Sequence, residues 1–151
     1  MNIPPWVTIL SALLTPTIAV LAAVIASLQW RTARNKLKLD LFDRRYAVYE
    51  SVNGLLGSIM SSGSTSQEEE LKYLIGTRGT KWLFNASVAE YLEKNIWVEV
   101  CNLGALQGVC EGLQGEERTK NIYAQGDIKI RLVDQRKLMD AKFDPFLSLK
   151  H

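Results

Sequence analysis

Nucleophilic, general-base and metal chemistry rest on few side-chain types, and the most versatile of them are scarce here. The single histidine is the last residue, His151. Without another imidazole, Ser-His and Cys-His arrangements are excluded everywhere else, because the base that activates the nucleophile is missing. The two cysteines, Cys101 and Cys110, stand nine residues apart. On one helix that spacing puts them roughly 180° apart, too far to share a metal ion. In a cytosolic helix they are expected as small core residues rather than a disulfide. No phosphate-loop pattern and no zinc-ligand spacing occurs. Neighbouring acids such as Glu116 and Glu117 fit a solvated loop. The expectation is a protein that is not an enzyme and takes no metal or cofactor.

Binding chemistry has more material. Arg44 and Arg45, together with Arg78 and Lys81 in a glycine-containing break, are candidates for an anionic ligand. Guanidinium groups grip carboxylates and phosphates in pairs of hydrogen bonds, and ammonium groups act as point charges. The ordinary fate of such side chains is solvent.

The elements that must position these residues follow from the charge distribution. The chain carries 18 Lys and Arg against 16 Asp and Glu, a net charge of +2. Its first 30 residues contain none of them, whereas residues 31–50 hold six basic and three acidic side chains. The remaining 101 residues, twelve basic and thirteen acidic, are almost neutral. The positive excess is therefore local, and no DNA-binding surface is expected.

Residues 6–28, WVTILSALLTPTIAVLAAVIASL, form an uncharged stretch of 23 residues. As a helix it would measure roughly 34 Å, enough for a hydrocarbon core of about 30 Å. Trp6 and Trp30 flank it, and indole rings favour the headgroup level. A cleaved signal peptide would need a basic start and a shorter apolar stretch. No Lys or Arg precedes Arg31, so a retained span is expected. Arg31, Arg34, Lys36 and Lys38 follow it closely, which by the positive-inside rule places the N-terminus outside and the C-terminus in the cytoplasm of a bacterial inner membrane. The same side chains reach anionic headgroups, so the lipid bilayer is the first expected partner.

The span has two faces. Thr15, Ala19, Ala23 and Ser27 form a row of small residues, and Leu14, Leu21, Val24 and Leu28 lie opposite. Small residues at four-residue intervals let helix backbones approach in lipid, which predicts a homo-oligomer or a partner helix. Pro16 predicts a kink.

Beyond the span, Leu41, Val48, Leu55 and Phe42, Tyr49, Leu56 are two heptad rows, joined by Val52 and Ile59. They predict a helix running on from the span to about residue 60. Residues 61–66, SSGSTS, read as a loop. Ser66 with Glu69, and Ser87 with Glu90, have the spacing of capping boxes that open two further helices. The second should bury Val88, Leu92, Ile96, Leu103, Leu106 and Cys110, and end at Gly112 and Gly115. A last helix is expected over residues 127–142, with Ile128, Leu132 and Met139 inward and a stop at Asp144-Pro145. Residues 127–133, DIKIRLV, are the one strand candidate. Phe146, Leu147 and Leu149 should dock as a tail. Gly104, Gly108 and Gly112 share one stripe, and each costs about 1 kcal/mol against Ala in a helix. Their repetition predicts a closely packed backbone there.

The fold class is thus all-α: a transmembrane span (1–30), a basic juxtamembrane helix (31–60) and a cytosolic helical module (61–151). LFDRRYAVYE, residues 41–50, placed after a single span and a basic run, resembles a pattern in small uncharacterised bacterial single-span inner-membrane proteins. The similarity extends to WLFNASVAEYLEK, residues 82–94, and FDPFLSL, residues 143–149. It implies a membrane protein and assigns no functional residue. The layout also resembles membrane effectors of bacterial anti-phage systems, an analogy of architecture. That likeness implies a cytosolic domain sensing a cyclic nucleotide and oligomeric spans that perturb the bilayer. The expected function is self-assembly or docking of a protein partner, with the effector as the alternative.

Overall fold

The apolar rows after the basic run do belong to one helix. A computed structural model describes residues 5–148, with the side chains of residues 5–13 and of Thr15 outside the description, and its first helix, α1, spans Pro5–Ser62. It contains Pro16 and ends at Gly63, whose φ of 73° suits glycine. The Gly63 N–H donates back to the Ile59 carbonyl at 2.8 Å, closing the helix with the bond typical of a left-handed terminus. The loop therefore begins two residues later than SSGSTS implies.

The chain divides into two units, Met1–Asp40 and Leu41–His151. The boundary falls inside the expected juxtamembrane segment, because core residues begin at Val48. In the first unit every described side chain is exposed. Among the described residues no helix is long and apolar enough to cross a membrane. The described side chains begin at Leu14, partway along the expected span, and its anchor Trp6 lies outside them. Ser27 and Thr32 donate their hydroxyl protons to the Val24 and Leu28 carbonyls, so neither needs water as an acceptor.

The second unit is a helical bundle with no strand among the described residues. After α1 come α2 (Gln67–Thr77), α3 (Thr80–Leu83) and α4 (Ala86–Glu90), then a π segment (Tyr91–Trp97), α5 (Val98–Cys110) and α6 (Gly115–Leu147). α2 begins where expected: Ser66 is the cap, and its Oγ accepts from the Glu69 N–H at 3.3 Å. Val52, Leu55, Leu56 and Ile59 of α1 meet Ile96, Val100 and Leu103 of the central rod and Leu132, Met139 and Phe143 of α6 in one core. Leu41 of the expected rows is exposed and Phe42 half-buried, since both precede the core.

Several sequence expectations are corrected. The cap of α4 is Asn85, not Ser87: Asn85 Oδ1 accepts from the Val88 N–H at 3.0 Å. Asn caps as well as Ser, and starting two residues earlier keeps Val88 in the core. The next helix is not uniform. The core row Val88, Leu92, Ile96, Val100 advances by four residues each time. In a straight α-helix each such step drifts by roughly 40°. The π segment, where the Val98 N–H bonds to the Glu93 carbonyl five residues back, takes up that drift. Tyr91 and Val100 are thereby buried, while Leu106 and Cys110 are only half-buried.

α6 begins twelve residues earlier than expected and absorbs DIKIRLV, so Ile128, Leu132 and Met139 face the core from a helix. Gly115 opens it, at φ 58°, instead of ending the helix before it. Asp144-Pro145 does not stop it. Proline lacks one N–H, but the Ser148 N–H still reaches the Asp144 carbonyl, and Phe146 and Leu147 pack on the core. The tail is the last turn of α6, with Leu149 outside the described residues.

Candidate functional site

Two of the four predicted anion-binding residues come together. The α2 terminus, the break after it and the π segment surround a cavity of about 310 Å³. The glycine-containing break turns the chain, so Arg78 at the end of α2 and Lys81 in α3 reach the same opening. Leu92 and Tyr73, both buried, form its inner wall with Leu74 and Ala89. Trp97 forms a side, stacked on Tyr73 at 5.5 Å and nearly parallel. Glu93 also lines the cavity.

The hydroxyls around the cavity are spent internally. Tyr73 donates to the Leu92 carbonyl at 2.8 Å, Thr77 to the Tyr73 carbonyl, and Thr80 to the Thr77 carbonyl at 2.6 Å. Burial holds the Tyr73 phenol well above its ordinary value, so it stays neutral. Charge at this site comes from Arg78, Lys81 and Glu93. Lys81 lies over the Trp82 ring at 4.3 Å. The side chains of Arg78 and Glu93 make no hydrogen bond or ion pair among the described residues.

Arg44 and Arg45 do not join them. Arg45 is a structural clamp: its Nε donates to the Leu83 carbonyl at 2.9 Å and its Nη1 to the Phe146 carbonyl at 3.2 Å. Its guanidinium also lies over the Phe84 and Phe146 rings. Sequence alone did not show this role, because its acceptors are backbone carbonyls 38 and 101 residues away. Arg44, one position earlier on α1, is exposed.

The glycine stripe is corrected too. A methyl group added at Gly104 or Gly108 would meet open space, so no backbone of this chain packs there. The close approach lies instead at Gly76, where an added Cβ would sit 2.6 Å from Ser51 Cβ. That crossing of α1 and α2 needs a glycine, and only its position before a helix end hinted at it. Cys101 is exposed rather than in the core, since Val100 takes the inward position beside it. Desolvation and the Glu70 carboxylate push its thiol up, so at neutral pH it is a thiol, not a nucleophilic thiolate.

Of the anchor residues, Arg34 lies over the Trp30 ring at 5.6 Å, and Arg31, Lys36 and Lys38 are exposed. Ala19, Ala23 and Ser27 are exposed as well, and the side chain of Thr15 lies outside the described residues. No protein-family model, no curated protein and no solved structure matches this chain.

Proposed function

We propose that this is a non-enzymatic, single-span protein of a bacterial inner membrane whose cytosolic helical module self-assembles or docks a partner protein. The observation that carries the reading is the segregation of charge along α1. No charged side chain occurs through Trp30, and Arg31, Arg34, Lys36 and Lys38 follow within eight residues. An apolar helix with a basic flank on one side is oriented by that flank. The module adds unpartnered apolar surface. Val98 and Val109 of α5 and Ile122, Tyr123 and Ile130 of α6 are between 47% and 72% exposed. The Arg131–Glu99 pair and the Asn121–Leu106 hydrogen bond hold these two helices side by side. Apolar side chains left out on adjacent helices are what a docking face requires. In this reading Gly104 and Gly108 are where a second backbone approaches. Reporter enzymes fused after residue 151 test the topology: a cytoplasmic signal is expected, and a periplasmic one refutes the reading. Changing Arg31, Arg34, Lys36 and Lys38 together to Gln should scramble orientation.

A second reading, a membrane effector whose module senses an anionic ligand such as a cyclic nucleotide, is favoured by one observation. Arg78 and Lys81 share a cavity. Retention of a labelled cyclic nucleotide by membranes containing the protein tests it.

A further inference from the structure

We propose that the cavity between α2, α3 and the π segment is a binding site for a small amphiphile with a flat apolar body and one anionic head group. Its volume of about 310 Å³ lies at the lower end of the range for small-molecule sites. The body packs against Trp97, Leu74 and Leu92, and the head meets Arg78 and Lys81.

Three features point to this ligand chemistry. The surrounding hydroxyl protons are already given to the Leu92, Tyr73 and Thr77 carbonyls, so they do not select a polar body such as a sugar. Trp97 is fixed by its stack on Tyr73 and forms a pre-ordered wall, which lowers the entropy lost when a flat group binds. Two cations face one acid at the opening, and Arg78 is not neutralised by Glu93. An anionic head is therefore favoured by position and by net charge.

The π segment is a second, independent pointer. Its wider turn carries Leu92, Glu93 and Trp97, three of the residues that shape the cavity. Interruptions of this kind recur at functional sites. The site rests on these contacts alone and not on membrane orientation or assembly.

The full chain in lipid nanodiscs, titrated calorimetrically against empty nanodiscs, provides the test. The probes are 1-naphthoate, 1-naphthyl phosphate and 1-naphthylmethylammonium. Saturable binding of one or both anions, one per chain, is expected, with no binding of the cation. The preferred anion distinguishes a carboxylate head from a phosphate head. Arg78→Gln with Lys81→Gln should weaken binding about tenfold or more, and Glu93→Gln should tighten it. Ala89→Trp should fill the cavity and abolish binding. Should that variant misfold, the charge variants decide the matter, because all three positions are exposed. No saturable binding of either anion, equal binding of the cation, or indifference to Arg78 and Lys81 overturns the proposal. The cyclic-nucleotide experiment then still decides the second reading separately.

Discussion

Gly76 and Ser51 form the tightest contact a glycine makes in the second unit. Ser51 gives its proton to the Ala47 carbonyl and leans its Cβ toward Gly76. Gly76→Ala should destabilise the module by about 1–3 kcal/mol through overpacking. Adding Ser51→Gly should restore part of that loss, despite the cost of glycine within a helix. Chemical denaturation of the four proteins in a double-mutant cycle measures the coupling, and strict additivity would show that the crossing is not tight. Tyrosines give the second prediction at this scale. Burial pushes the Tyr91 hydroxyl up to about 12 and the Tyr73 hydroxyl higher still. An unfolded tyrosine ionises near pH 10. Below that value both are protonated in either state and their contribution is fully present. Above it the unfolded chain loses protons that the folded chain keeps, so stability falls as pH rises through the folded values. Melting followed by circular dichroism should show this decline above about pH 10, shallower in Tyr91→Phe. An unchanged slope would mean that Tyr91 is not buried as described.

At the scale of elements the π segment is the most informative. Its extra residue keeps Val88, Leu92, Ile96 and Val100 on one core. Deleting the exposed Asn95 removes no buried side chain, yet it should rotate one half of the rod by roughly 100° and expose part of that row. Asn95→Ala should be nearly neutral. If the deletion and the substitution melt alike, the π turn does not set the register. This element also marks where sequence periodicity ran out. The rows at Val48, Val52, Leu55, Leu56 and Ile59 follow a regular period, so α1 and its core face were legible. Ser66 was legible as a cap because it precedes three glutamates and an apolar run. Val100 and Tyr91 were not, because a fixed 3.6-residue period cannot anticipate a five-residue hydrogen bond. The first turns of α6 were missed because residues 115–126 carry glycines, charges and few buried side chains. Asn121 binding the Leu106 carbonyl is a tertiary contact with no local signal.

Across the whole molecule, the candidate site was half legible. Arg78 and Lys81 were picked out by their place in a break between helices, and the structure puts them on one cavity. Arg45 was grouped with them by charge alone, and charge does not tell a ligand arm from a clamp. Assembly is argued at this scale too. The small row Ala19, Ala23 and Ser27 is exposed along α1, so nothing in the described chain covers it. Ala19→Leu with Ala23→Leu should weaken self-association in native membranes, whereas Leu14→Ala with Leu21→Ala on the opposite face should not. Cross-linking yields compare them, and equal sensitivity of both faces would remove the row as the contact.

The Arg45 clamp has a consequence for how the module opens. One guanidinium bonds α1 to the end of α3 and to the last turn of α6, segments more than 60 residues apart in the chain. Phe143, Phe84 and Phe146 meet edge to face around it. Terminal turns normally fray independently, each with its own small opening free energy. Here neither end can leave without stranding a charge that lies against two rings. In native-state hydrogen exchange, the amides of Phe84 and Ser148 should therefore open as a single cooperative unit, protected well beyond a free helix end. Arg45→Gln should split that unit into two, with Ser148 exchanging first. Independent exchange of the two amides in the unaltered protein would show that the termini are merely adjacent.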